Sequence, residues 1–347
     1  MTTLSAWPIE PELVDAAALT AWMDGQGLAV GEPLTDAEQL MGGTQNILVK
    51  FRRGEDSYVL RRPPQHKRSN SDSTMRREAR VLEALAGSDV PHPGFIAGCD
   101  DLSVLGAAFY LMEPLDGFVA AHGLPELHAN DRNVRRTMGM AMADAIAALA
   151  QVDHEAVGLS GLGKPGYLER QVPRWRAHMA AYDEVETYEG HGIDTVDQVA
   201  DWLEAHRPES YELGIIHGDF HLLNVMFRND SGQLAGVVDW ELSTIGDPLI
   251  DLGQLVAVWP DSETSDLRIE PWDGFPTSSE LVDRYADNSE RDLSNIDWYV
   301  ALACFRLAII LEGTNVRASA GKAPRDVGDA LHKTTVDLFE RASNIIS

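Results

Sequence analysis

Apolar residues change period about a third of the way along this chain: short alternating or continuous runs come first, and spacings of three and four residues prevail afterwards. Segments 38–43, 46–53 and 57–62 read as three strands separated by short polar or glycine-bearing turns, which suits an antiparallel sheet. Met75, Ala79, Leu82 and Leu85 then fall at helical spacing and predict a helix over 75–86, with the polar stretch 63–74 leading into it and Asp72 or Ser73 capping its start. Glu78 flanks that apolar stripe instead of facing water, so its carboxylate calls for a cation, and Arg61 at the end of the third strand is the candidate. Residues 107–112 form another apolar strand running into Glu113-Pro114-Leu115-Asp116-Gly117. Helical spacing dominates beyond it: Met138, Met142, Ala145, Ile146 and Leu149 make one buried stripe, and 168–182, 249–258 and 299–311 are further helices. The 168–182 segment bears Arg170, Arg174 and Arg176, which could meet an anionic substrate, although a solvated cationic face is the commoner reason for such a set.

Two short apolar runs break the helical pattern. Ile215 and Ile216 read as a strand, the Gly218-Asp219 turn exposes a carboxylate, and Asn224 opens a second run over 225–227. After a turn at Asn229-Asp230-Ser231-Gly232, a strand over 234–238 ends at Asp239. Pairing these last two strands would carry Asn224 and Asp239 to one edge of a small sheet, where a single cation could meet both. Phosphoryl transfer needs such a set, because it is mostly positioning and charge neutralisation: one carboxylate takes the hydroxyl proton, and oxygen ligands hold magnesium against the phosphates. A lone Asp beside a turn is usually a turn former; three residues in this order and spacing weigh against that reading. His217 and His221 could also suggest a zinc pair, but no nearby Cys or further His completes it.

His217-x-Asp219-x-x-x-x-Asn224 has the spacing of the kinase catalytic loop, and Asp239 stands where kinases put the metal-binding Asp of Asp-Phe-Gly; Gly218 replaces the usual Arg, and Trp240-Glu241 replace Phe-Gly. With the run Gly246-Asp247-Pro248-Leu249-Ile250-Asp251-Leu252-Gly253, this resembles the aminoglycoside phosphotransferase family of small-molecule kinases, and within it the kinase-like domain fused to some acyl-CoA dehydrogenases. The resemblance covers most of the chain, from Leu40 or so to the neighbourhood of Arg317.

What the resemblance implies is an α+β, bilobal protein-kinase-like fold. Residues 1–113 would form an N-terminal lobe covering the nucleotide, with a leading helix, an antiparallel sheet and one key helix, and 114–347 a larger, mainly helical lobe for catalysis and substrate. The implied cofactors are ATP and Mg2+. Asp219 becomes the catalytic base, Asn224 and Asp239 the metal ligands, and His217 and Asp251 braces of the catalytic loop, with Asp247 capping the following helix. Arg61 occupies the place of the phosphate-gripping Lys, with Glu78 positioning it; a guanidinium is longer, planar and permanently charged, so it can bridge phosphate and carboxylate without superimposing on an ammonium. A surface Arg on an edge strand is the other reading. The main chain of Glu113 and Leu115 is assigned to the adenine edge, a simple strand exit being the alternative. Gly43 and Thr44, in the turn 42–46, could bring backbone amides to phosphate oxygens, and an ordinary hairpin turn explains them as well. Without an Arg beside Asp219, control by a phosphorylated activation loop is not expected.

The acceptor is expected to be a small-molecule hydroxyl. The dehydrogenase-fused relatives point to a hydroxyacyl-CoA-like metabolite, the family name to an aminoglycoside antibiotic, and a nucleotide-binding pseudokinase without transfer activity is the reading from another class. Arg174 and Arg176 are the candidate substrate contacts. Residues 158–164 imitate the start of a phosphate-binding P-loop, but Pro165 stands where a hydroxyl must reach magnesium, and no apolar strand precedes them.

Composition narrows the partners. The 347 residues are 44% hydrophobic, ample for a buried core, and the formal net charge of −27 argues against nucleic acid, whose binding needs cationic surface. Two cysteines, Cys99 and Cys304, make no disulfide framework and suggest a reducing compartment. The first residues have neither a cationic segment nor an apolar core, and the most apolar helix is interrupted by Arg306, so a cytoplasmic protein with no membrane partner is expected.

Overall fold

A computed structural model describes residues 7–40, 46–260 and 269–347, and its contacts divide the chain into two compact units. The first comprises residues up to Phe118 together with Met226–Asn229 and Leu234–Ser243. It holds helix α1 (Ala16–Gly25), strands β1 (Leu34–Gln39), β2 (Ile47–Arg53) and β3 (Asp56–Arg62), helix α2 (Ser71–Ala84), β4 (Phe95–Cys99), the single turn α3 (Leu102–Leu105) and β5 (Phe109–Met112). The five strands form one antiparallel sheet in the order β1-β2-β3-β5-β4.

Alternation along β3 explains how the sheet is covered. Tyr58 and Leu60 join Val49, Phe51, Leu111 and the α1 residues Leu19 and Met23 in one apolar cluster, and Phe51 stacks on Tyr58 across the β2–β3 pair at 5.4 Å between ring centroids. Side chains one residue out of phase point to the opposite face, so Arg61 is carried to the side where α2 packs against β5. Helix α2 starts earlier than its apolar spacing predicts, and neither expected cap serves. Asn70 is the N-cap residue without a side-chain cap bond, while Asp72 Oδ1 accepts from the Ala108 backbone N–H at 3.0 Å and Oδ2 from Lys67 Nζ at 2.7 Å. Lys67 and the residue leading into β5 have taken the carboxylate that local pattern assigns to the helix terminus. The two-stranded sheet of β7 (Val225–Phe227) and β8 (Leu234–Val237) is present as expected.

The second unit is mainly helical: α4 (Glu126–Asn130), α5 (Arg132–Gln151), α6 (Gln171–Ala180), α7 (Val196–Ala205), α8 (Leu249–Val258), α9 (Ser278–Asp287), α10 (Ile296–Ser319) and α11 (Arg325–Ile346). The α5 stripe Met138, Met142, Ala145, Ile146 and Leu149 is buried throughout. Helix α10 extends beyond the predicted 299–311 at both ends and is buried almost all round, between α8 and α11. Strand β6 (Gly214–Ile216) pairs antiparallel with β9 (Thr244–Gly246), Ile215 opposite Ile245. That pairing fixes where the chain turns into His217 on one strand and into Asp247 on the other. No helix among the described residues is long and apolar enough to cross a membrane.

Helices α8 and α10 touch at Gly253, where an added Cβ would lie 2.6 Å from the backbone carbon of Tyr299 and 2.7 Å from its oxygen. Backbone of a buried helix cannot rotate aside, so Gly253→Val should cost about 3 kcal/mol by overpacking, read as a lower urea midpoint; an unchanged midpoint would contradict this close approach.

Candidate active site

The register of β3 on β5 sets Arg61 directly opposite Tyr110. Both side chains reach Glu78, which sits within the buried stripe of α2 and is fully enclosed. Arg61 Nε lies 2.7 Å from Glu78 Oε2 and Arg61 Nη2 3.1 Å from Oε1, while the Tyr110 hydroxyl donates to Oε2 at 2.8 Å. The guanidinium has a second anion: its Nη2 is 2.7 Å from Asp239 Oδ1. Burial pushes the Glu78 carboxyl up, with Arg61 and Tyr110 pulling it back. Burial also works against the charge of Arg61, but Glu78 foremost, then Tyr110 and Asp239, hold its pKa above the ordinary arginine range. Arg61 is therefore a charged, oriented cation on an inner strand, and not a surface residue of an edge strand.

Asp239 is held in an uncommon backbone state, with φ at +67° in the left-handed region, and its side chain keeps 39% exposure. Asp tolerates that conformation better than most residues, and such outliers persist where surrounding structure over-determines them. Two contacts do so here: the Trp240 indole N–H donates to the Val237 carbonyl at 3.0 Å, and Arg77 Nε donates to the Ser243 carbonyl at 2.7 Å. The turn brings in a carboxylate that the sequence reading passed over. Glu241, with Glu78 and Asp239, offers ligand oxygens lying within 4.8 Å of one another. Its only sequence signal was an acidic residue two positions after a proposed metal ligand.

In the helical unit, the turn after β6 runs through His217, Gly218 and Asp219, with Gly218 at φ +88°, where glycine is unstrained. Asp251, on α8 and almost fully buried, accepts the backbone N–H of His217 on Oδ2 at 2.6 Å and that of Gly218 on Oδ1 at 2.8 Å. His217, fully buried, accepts the Asp219 N–H on Nδ1 at 3.3 Å. Asp219 keeps 42% side-chain exposure. Asn224 Nδ2 donates to Asp219 Oδ2 at 3.0 Å and to its carbonyl at 2.9 Å, and His221 Nε2 stands 3.5 Å from the same carboxylate oxygen. Burial works to raise the Asp219 carboxyl, yet the His221 hydrogen bond and charge, with His217 and Asn224 adding less, hold it below the usual carboxylate range. The result is an ionised carboxylate on a braced turn, able to accept a proton from a hydroxyl. Asp251 is pushed up to about 7, chiefly by burial, against the two N–H groups and Arg306. Asp247 accepts the N–H of Leu249, the first residue of α8, at 3.0 Å, although Pro248 and not Asp247 is the N-cap residue.

The remaining predicted residues are placed less uniformly. Glu113 has its N–H bound to the Gly94 carbonyl at 2.8 Å, so only its carbonyl is left to meet a ligand edge; the Leu115 side chain packs on Gly236. Gly43 and Thr44 lie outside the described residues. Arg174 is exposed, its guanidinium 5.1 Å from the Trp175 ring centroid. Arg176 is committed to α7, through the Asp201 carboxylate and the Asp197 carbonyl at 3.2 Å. Arg170 is tied to the carbonyls of Lys164 and Pro165. The P-loop imitation is a loop, with Gly163 tight against the Ile245 backbone.

Comparison with known proteins bears on this geometry. The profile of the phosphotransferase enzyme family, APH, matches residues 36–287. The chain belongs to that family. Among curated relatives, mouse acyl-CoA dehydrogenase family member 10 is 32% identical over 308 residues, covering 86% of this chain; the chain spans only 28% of that protein's length. A crystal structure from Ralstonia eutropha, provisionally named an aminoglycoside phosphotransferase, is 32% identical with a TM-score of 0.79, covering 95% of this chain and 98% of that one. The GDP complex of aminoglycoside 2'-phosphotransferase-IIIa is similar in fold, with a TM-score of 0.65 at 16% identity, covering 94% and 99%. The sheet unit and the helical unit are thus those of the α+β kinase-like phosphotransferase fold.

Removing one partner of a buried ion pair strands the other. Glu78→Ala should cost about 3–5 kcal/mol, and Tyr110→Phe, which leaves a carboxylate oxygen one donor short, about 1–3 kcal/mol. Urea unfolding of both variants checks the order, and a smaller loss for Glu78→Ala than for Tyr110→Phe would contradict it.

Proposed function

We propose that the chain transfers the γ-phosphate of ATP, with magnesium, to a hydroxyl group of a small molecule. The observation that carries this reading is the ionised, partly exposed Asp219, held by Asn224 on a turn whose two preceding N–H groups are bound by Asp251. Asp219 orients the acceptor hydroxyl and takes its proton as the oxygen attacks, the work such a carboxylate performs in kinases. Arg61, kept charged and aimed by Glu78, grips phosphate oxygens, and the carbonyl of Glu113 with the amide of Leu115 reads the adenine edge. Each unit offers donors of the kind a hard cation takes: in one, Asn224 spends its amide nitrogen on Asp219, which leaves its carbonyl oxygen for a metal, and in the other Asp239 and Glu241 carry carboxylate oxygens. Bound magnesium would neutralise phosphate charge.

The acceptor we favour is a hydroxyacyl-CoA-like metabolite. The dehydrogenase-family relatives support that class, and the exposed Arg174 beside Trp175 provides a cation and an aromatic face for an anionic acceptor. An aminoglycoside is the competing acceptor. Two buried free cysteines, Cys99 and Cys304, accord with a cytoplasmic setting.

Asp219→Ala and Asp239→Ala should each lower magnesium-dependent ATP turnover at least about a hundredfold, since each deletes a different part of the transition-state apparatus. Chelation of the metal should abolish turnover, and added magnesium restore it. Variants within a few-fold of wild type would reject the assignment, and wild-type protein that is stabilised by nucleotide in a melting assay without consuming it would be a pseudokinase.

A further inference from the structure

Arg306 lies in the middle of α10, on the otherwise apolar run Ala301 to Ile309, and is only 8% exposed. A guanidinium carries five N–H donors, and burying it without partners is costly. Yet among the described residues Arg306 makes a single hydrogen bond, from Nη2 to the Gly218 carbonyl at 3.3 Å, while its Nε has no partner there and its face lies 6.0 Å from the Trp175 ring centroid. The carbonyl it selects belongs to the residue before Asp219. The N–H of that same glycine is bound by Asp251, so the Gly218 residue is gripped from both sides, by an anion on its amide and a cation on its carbonyl. Arg306 and Asp251 make no direct ion pair; their opposite charges are coupled across the turn.

We propose that Arg306 is a positioning residue for Asp219: it fixes the orientation of the Gly218–Asp219 peptide and supplies the counter-charge that lets Asp251 hold the turn. The proposal rests on the reading of Asp219 as the base. Every group named belongs to the helical unit.

The charges facing Asp251 come from three elements. Arg306 on α10 favours its ionised form, Asp219 on the turn opposes it, and Tyr285 on α9 lies close enough to feel its charge; the His217 and Gly218 N–H groups favour the carboxylate. Burial pushes Asp251 up to about 7, so near neutrality the bracing carboxylate is close to taking a proton. As pH falls through that value, one oxygen becomes a hydroxyl and the grip on the turn weakens. Activity should decline on the acid side from this cause, since the Asp219 carboxyl itself is held below its usual range. Loss of the Arg306 charge removes an influence that favours ionisation, which moves the decline to higher pH.

The test pairs two readouts on the full chain: magnesium-dependent ATP turnover across pH, and the Gly218 amide resonance of glycine-labelled protein titrated by NMR without nucleotide. Arg306→Met should lower kcat about tenfold or more with the KM for ATP nearly unchanged, and should raise the midpoint of the Gly218 titration, with the acid limb of kcat, by about one pH unit. Arg306→Lys, which keeps the charge, should return the midpoint towards wild type. Arg306→Gln, which keeps a donor for the carbonyl but no charge, should shift the midpoint as Met does and serves if Met fails to fold. A wild-type midpoint in the neutral variants overturns the proposal, even where kcat falls, because a merely structural arginine would not move it. Retained turnover in Asp219→Ala would defeat the catalytic reading instead, and the amide titration would still judge the coupling of Arg306 to Asp251.

Discussion

A carboxylate proposed as a base is useful only if its direction is fixed, and here the direction of Asp219 depends on one buried side chain, Asp251, binding two successive backbone N–H groups. Gly218 makes that possible by adopting a backbone state with φ at +88° that other residues rarely enter. From this constraint the neighbouring chemistry follows. His217 must be buried to reach the Asp219 amide, and Asn224 must fold back onto the carboxylate. The loop then presents Asp219 partly exposed and ionised.

The sheet unit solves a parallel problem with a different device. Its cation is fixed by strand register: Arg61 opposite Tyr110, both reaching a carboxylate enclosed by α2. Buried ion pairs are poor evidence of net stability, because desolvation offsets the attraction. Their value here is orientation, since a guanidinium bound by Glu78 and Asp239 has few directions left. The left-handed backbone of Asp239 belongs to the same arrangement, a local cost held in place by Trp240 and Arg77.

Much of this was legible in the sequence because it is written locally. The loop from His217 to Asn224 is a short-range pattern, and the alternation around Arg61 and the helical spacing around Glu78 placed both residues on the right elements. What was missed depends on distant partners. Asp72 looked like a helix cap, but the backbone of Ala108 competes for its carboxylate. Arg176 looked available to a substrate until α7 brought Asp201 beside it. Arg306 entered only as an interruption of an apolar helix, although a charge at such a position has to find a counterpart, and the counterpart, a turn 88 residues earlier, carries no local signal. Glu241 was visible but unremarkable until the turn at Asp239 folded it towards Glu78.

The proposed function is transfer of phosphate, not mere binding of nucleotide. It is tested most directly by incubating the protein with magnesium and ATP labelled in the γ-phosphate, in the presence of hydroxyacyl-CoA and aminoglycoside panels, and locating the label afterwards. Label is expected in a phosphate ester of a hydroxylated acceptor. Label that remains wholly in ATP, with the nucleotide demonstrably bound and both panels present, would contradict it.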